Sequence, residues 1–500
     1  MIRQIGFIIV LLASLQVFPQ KTKRIDIINA DELTFVKHGT SELKKLKGNV
    51  IFKHEDATMY CDSAFFDSRH NTMESFGNVR IETGDSVQLY CDFLRYDGIK
   101  KVANTRGNIR LYHQKSLLLT DSLDYYRQSG IAKYFTYGTI ISGEDTLTSN
   151  FGYYFSRSRD FYPSGNVVVR NPDFTMTTDS LRFNTQSKKV FFLTRTKIQS
   201  DSSLIICYEG NYDTQADFAI FGKHTYIEQG RHILKGDSLL YDNKNSYGRG
   251  YKYFYVKDTA NKIIVSGHLG SYDGINECMW VTDSACFSQI DDNGDTLFLH
   301  ADTLKSIRDS TGRRLLAYHT VRFYHKEFQG KCDSLVYVFD DSTVIMYKKP
   351  VLWLDDFQLT ARQIDILSDS TGIKQVNLQE SGFIIEHLDS TLYNQIKGKN
   401  IFAYFKDGAI NRIKVKRNAQ TVYYPQDDST ITGLYNATSA DINIELDSNR
   451  VSQITFLTAP EGTLYPVTQI PDDKSTLPGF VWLEKFRPLR KENIFEVAKP

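Results

Sequence analysis

Five hundred residues exceed what one compact hydrophobic core supports, about 250–300 residues, so the chain has either several domains or a fold that lengthens by repetition. Apolar residues make up 41% and aromatics 13%, with 30 Tyr and 32 Phe, which excludes a disordered tail and suits pleated, half-buried surfaces. Sixty Lys+Arg against 59 Asp+Glu leave a formal charge of +1, which excludes the basic footprint of a nucleic-acid binder.

The chain opens with one positive charge, Arg3, followed by a mostly apolar run from Ile5 to Phe18. That pattern predicts a signal peptide over residues 1–20, too short to span a bilayer as a helix, and hence an exported protein. No later stretch approaches 18 consecutive apolar residues.

From residue 45 onward two short elements alternate. The first is Gly48-Asn49-Val50, Gly77-Asn78-Val79, Gly107-Asn108-Ile109, Gly138-Thr139-Ile140 and Gly165-Asn166-Val167. The second falls between them as Asp62-Ser63-Ala64-Phe65-Phe66, Asp92-Phe93-Leu94-Arg95-Tyr96 and Asp121-Ser122-Leu123-Asp124-Tyr125. It returns at Asp179, Asp237 and Asp333, with weaker copies at Asp302 and at Ala361-Arg362-Gln363-Ile364. The period is about 30 residues, the size of one supersecondary unit that must stack on copies of itself.

Within each copy the apolar positions lie two apart, as in Val50 and Phe52, Val79 and Ile81, Ile109 and Leu111, and Val167 and Val169. Leu94 and Tyr96, Leu123 and Tyr125, and Leu181 and Phe183 repeat that spacing. Period two places both members on one face of a strand. Clusters such as Thr83-Gly84-Asp85, Asp97-Gly98 and Asp407-Gly408 supply tight turns. These features predict an all-β, elongated, repetitive stack of short antiparallel strands. The recurrent Asp reads as a corner that caps backbone N–H groups, because one residue repeated in every copy is not a catalytic pair.

The motif Leu46-Lys47-Gly48-Asn49-Val50, with Cys61-Asp62-Ser63-Ala64-Phe65-Phe66-Asp67 and their copies, resembles the OstA-type lipopolysaccharide-transport family, which includes LptA, LptC and the periplasmic domain of LptD. The resemblance implies a solenoid-like β-jellyroll folded like a taco, whose apolar interior holds the acyl chains of lipopolysaccharide or a related lipid. It also implies a periplasmic location near the outer membrane, a role in outer-membrane assembly, and partners of similar jellyroll fold joined by edge-strand pairing. No catalysis and no cofactor are implied. Residues 25–180 are then a first jellyroll segment and 181–460 further segments, either continuous with it in one shell or separate from it. Residues 461–500, which hold five of the 11 Pro, form a tail that caps one end or docks on a partner.

On this reading Val50, Phe52, Val79, Ile81, Leu94, Ile109, Leu111, Leu123, Val167, Val169, Leu181 and Phe183 line the lipid groove. The competing reading is a closed interior in which they only pack one another. A rival from another class is a secreted β-helix that cleaves or binds polysaccharide. Cys61 and Cys91 precede the recurrent Asp in successive copies and would bridge if the copies were adjacent layers; otherwise they form an inert buried ladder. Cys278 and Cys286 would close a hairpin. Scattered His residues give no metal motif, and Asp291-Asp292-Asn293-Gly294-Asp295 reads as a hairpin turn rather than a calcium loop, lacking the downstream Glu.

Overall fold

The computed structural model describes residues 24–496 apart from 39–40, 85–86, 114, 243, 292, 311, 370, 390, 428–429 and 448–449. The leader expected at residues 1–20 lies outside the described residues. Two compact units divide the chain: residues 1–230 with 235–245, and residues 231–234 with 246–500. Among the described residues the regular structure is antiparallel strand with a few short 3-10 turns and no α-helix. A parallel β-helix, the architecture behind the polysaccharide rival, is therefore not what the sequence builds.

Unit 1 opens with β1 (Asp26–Asn29), β2 (Glu32–His38), β3 (Ser41–His54), β4 (Ala57–Asp67), β5 (Thr72–Thr83), β6 (Val87–Asp97), β7 (Val102–His113) and β8 (Ser116–Tyr126). From β3 onward each strand pairs with the next in a meander. β1 and β2 pair with the two ends of β3. The strands of β3–β8 run 11–14 residues, longer than the short strands expected. The extra length arises because each strand bends in the middle instead of ending there.

The bend is where the two sequence elements meet. The register of β3 on β4 slips between Lys47 and Val50, where Gly48 and Asn49 have φ of 72° and 46°. Gly77-Asn78 and Gly107-Asn108 do the same in β5 and β7. At each corner an Asp earlier in the chain enters the space a side chain on the Gly would fill. A Cβ on Gly107 would lie 2.5 Å from the carboxylate of Asp92. The neighbouring Asn then donates its side-chain N–H to that carboxylate: Asn49 to Asp31 at 2.9 Å, Asn78 to Asp62 at 2.8 Å and Asn108 to Asp92 at 2.7 Å. Glycine tolerates the left-handed backbone without steric cost and asparagine nearly so. The recurrent Asp is thus a corner lock, although in these three copies it is chiefly the Asn amide that it holds.

These bends fold the sheet into two half-sheets, a jellyroll with the apolar positions turned inward. Phe52 and Phe66 lie on opposite halves, yet their ring centroids are 5.9 Å apart. They meet across the interior.

Unit 2 keeps the same corners with different residues. Paired positive φ values recur at Asp283-Ser284, His319-Thr320, Lys348-Lys349, Glu380-Ser381, Arg417-Asn418 and Thr458-Ala459. Asp441 accepts the backbone N–H of Arg417 at 2.9 Å and Lys416 Nζ at 2.7 Å. At the copy where Arg362 replaces the Asp, the corner carries Glu380 instead, and the two pair at 2.9 Å with the charges exchanged.

Residues 461–466 are a strand paired with 433–438. The chain after them is a strap across the outer face of one half of unit 2. Gln395 donates to Ser475 O and accepts Leu477 N–H, both at 2.8 Å. Gln358 donates to Val481 O at 2.8 Å and accepts Leu483 N–H at 2.7 Å. Further along, Arg487 donates to Gln329 at 2.7 Å, and the ring of Phe495 lies 4.8 Å from His300. Leu477 completes an apolar cluster with Phe383, Ile385, Val422, Tyr424 and Leu434.

Candidate functional site

The corner-locked strands of unit 1 turn the apolar residues of both halves toward one another. Eleven of the twelve positions expected in the interior are buried: Val50, Phe52, Val79, Leu94, Ile109, Leu111, Leu123, Val167, Val169, Leu181 and Phe183. Ile81 is half-buried. All eleven are shielded from solvent, as an inward-turned apolar set requires.

The place where the two halves meet is a seam of polar groups. The β3–β4 turn brings Glu55 and Asp56 against Lys101, in the β6–β7 turn, and Arg127, after β8. Lys101 Nζ lies 3.0 Å from Glu55 Oε1, and Arg127 lies 2.5 Å from Glu55 Oε2 and 3.2 Å from Asp56 Oδ1. The side chains of Glu55, Lys101 and Arg127 are only 11–22% exposed. One residue inward, His54 and Tyr96 share a hydrogen bond of 2.8 Å. Ile25 donates its N–H across the same seam to Asn71 Oδ1 at 3.0 Å. Burial pushes the Tyr96 phenol up to about 12.

Partial burial alone would raise the Glu55 carboxyl, but the Lys101 hydrogen bond and the Arg127 and Lys101 charges outweigh it and hold it below its ordinary 4.5. A depressed carboxylate adds stability that is full above the unfolded value and vanishes as pH falls through the folded one. Amide exchange at Ile25 is therefore expected to accelerate relative to the corners as pH drops below 4.5, measured by hydrogen exchange corrected for intrinsic rate. An unchanged ratio would show that the ion pairs do not hold the seam.

Unit 2 has a recess of its own, about 370 Å³ including space open to solvent, lined by Phe357, Ile384, Ile396, Ile413, Ile444 and Glu386 among others. Burial raises the Glu386 carboxyl, assisted by the charge of Asp356, against a hydrogen bond donated by Asn394 at 2.8 Å. A carboxyl raised on folding subtracts stability once pH exceeds its unfolded value. Glu386→Gln is expected to stabilise unit 2 by about 1 kcal/mol at pH 8 and negligibly at pH 4, read from thermal unfolding at both pH values.

The cysteine expectations need correction. Cys61 and Cys91 are free, buried thiols on β4 and β6, and β5 lies between them. One sequence period equals two strands rather than one layer, so successive copies sit about 10 Å apart, two strand spacings, beyond disulfide reach. They match the buried-ladder reading, and burial pushes the Cys91 thiol up to about 12. Cys278 and Cys286 are also free, and both lie on one strand, Cys278–Ile290, so no hairpin separates them. In the 291–295 turn, Asp291 Oδ1 accepts the N–H of Asn293 and Asp295 at 2.9 and 2.8 Å, as a hairpin requires. Buried His325 places Nε2 3.4 Å from Asp291 Oδ2, and Asp295 pairs with Lys326. Sequence reasoning missed the seam, because its four charged residues span 72 positions and carry no repeated spacing.

The geometry defines a repetitive antiparallel β-jellyroll with an apolar interior. Residues 22–179 match the family described as OstA-like protein. No curated protein matches the chain. Among solved structures it is similar to the crystal structure of LptH from Pseudomonas aeruginosa, the LptA-homologous periplasmic component of the conserved lipopolysaccharide transport device. Identity is 10%, the match covers 28% of this chain and 95% of that one, and the TM-score is 0.23. The matched segment carries the Gly48-Asn49, Gly77-Asn78, Gly107-Asn108 and Gly165-Asn166 motifs, whereas the repeat itself continues beyond it.

Proposed function

We propose that the chain is a non-enzymatic periplasmic carrier that holds the acyl chains of lipopolysaccharide, or a related lipid, between its half-sheets and passes them toward the outer membrane. The observation that carries this reading is the run of buried apolar residues along the OstA-like segment, from Val50 and Phe52 through Val167 and Val169. Each CH₂ moved from water into such a face contributes about 0.8 kcal/mol, so a few acyl chains suffice for firm retention. Similar rungs along the face make successive positions close in energy, which permits sliding. Among the described residues β2 pairs only with β3 and leaves Leu33 and Phe35 exposed by 48% and 59%. An open apolar strand of this kind supports edge pairing with another jellyroll.

A photo-crosslinker placed at Leu181 in cells tests the reading. Capture of lipopolysaccharide is expected, together with loss of surface lipopolysaccharide when the protein is depleted. No captured lipid at Leu181, or unchanged surface lipopolysaccharide after depletion, overturns it. Release of oligosaccharide by the purified protein would favour the polysaccharide-acting alternative.

A further inference from the structure

The seam of unit 1 is graded from charge to grease. Outermost stand Glu55 and Asp56 on one lip, with Lys101 and Arg127 on the other. Next inward comes the His54–Tyr96 pair, with ring centroids 5.5 Å apart. Deeper still Phe52 and Phe66 meet across the interior. The order along the chain is the same, since Phe52, His54 and Glu55 follow one another toward the end of β3. The charges are also segregated, with both carboxylates on one lip and both cations on the other.

Parting the lips would strip Lys101 and Arg127 of their carboxylates at the mouth of an apolar space. Cations shielded from water need an anion, and charge-assisted hydrogen bonds to phosphate are among the stronger polar contacts available to them. An amphiphile with an anionic headgroup fits the whole gradient, headgroup at the ion pairs and chain against the phenylalanines. We propose that this seam is the lateral entry port for an anionic amphiphile, and that Lys101 and Arg127 exchange Glu55 and Asp56 for its phosphate headgroup. The proposal rests on the carrier reading and adds where the lipid enters and what recognises its head.

The test uses the full chain, a fluorescent naphthylamine reporter of apolar sites, and two competitors with the same twelve-carbon chain, dodecyl phosphate and dodecyl maltoside. Below their micelle-forming concentrations, dodecyl phosphate is expected to displace the reporter at about tenfold lower concentration, the worth of one charge-assisted contact. The Lys101→Gln/Arg127→Gln variant should lose that preference while still taking up the maltoside. Glu55→Gln/Asp56→Asn should bind both competitors more tightly, because the two carboxylates no longer hold the cations. Raising the ionic strength of the wild type should erase the preference without weakening maltoside binding, a readout that needs no variant to fold. Equal displacement by both headgroups in the wild type, or a preference retained in the cation variant, overturns the port and leaves the carrier intact. Failure of the reporter and both competitors to bind removes the carrier reading as well.

Discussion

Gly107→Val is expected to destabilise unit 1 by about 3 kcal/mol or more, whereas Gly143→Ala costs about 1 kcal/mol. Both glycines have positive φ, 75° and 61°, so both substitutions meet the steric penalty of the left-handed region. The surroundings separate them. No neighbour lies within 4 Å of a Cβ at Gly143, but at Gly107 it would collide with Asp92 Oδ2. Moving Asp92 breaks its hydrogen bond with Asn108, so one substitution removes the backbone freedom and the lock together. Scanning calorimetry of the transition carried by unit 1 would show the contrast. Equal losses at the two sites would mean that the Asp–Asn contact does not hold the corner.

The second large effect is expected in the strap. Gln395 satisfies two backbone groups of the strap at once, Ser475 O and Leu477 N–H, and Leu477 is almost fully buried. Gln395→Ala leaves both groups without this partner in a dry site, at about 2–4 kcal/mol. Leu477→Ala removes apolar volume from the cluster around Phe383 and Ile385 at about 3 kcal/mol. Each should free the strap, increasing proteolytic cleavage within residues 470–490 while the corners of unit 2 stay protected. Gln358→Glu is a sharper probe, because a carboxylate accepts Leu483 N–H but cannot donate to Val481 O. Uncut straps in all three variants would show that the glutamines and Leu477 are not its anchors.

The corners were legible because they repeat: Gly48-Asn49 and Asp62-Ser63 announce backbone and side-chain requirements that recur every 30 residues. What the spacing hid was that the elements are two ends of one contact, Asn78 reaching back to Asp62 across adjacent strands. That misreading placed successive copies in neighbouring layers and suggested a Cys61–Cys91 bridge. In unit 2 the corners persist while Gly-Asn vanishes, because an ion pair such as Arg362–Glu380 occupies the same place. A backbone shape can outlast the residues that first make it visible. The inner face was legible from alternation, Ile81 being less buried than the rest. The seam and strap were not, because Arg127 and Glu55, or Gln358 and Val481, meet only once the sheet has folded and carry no local signature.

The corner lock also bears on how such a molecule changes length over evolutionary time. Two of the locks join residues 16 positions apart on adjacent strands, Asn78 to Asp62 and Asn108 to Asp92. A duplicated stretch of one period would carry its own lock with it and need nothing from elsewhere in the gene. Tandem copying can therefore extend the sheet by whole hairpins, while an insertion between Asp62 and Asn78 that shifts the strand register would break that lock.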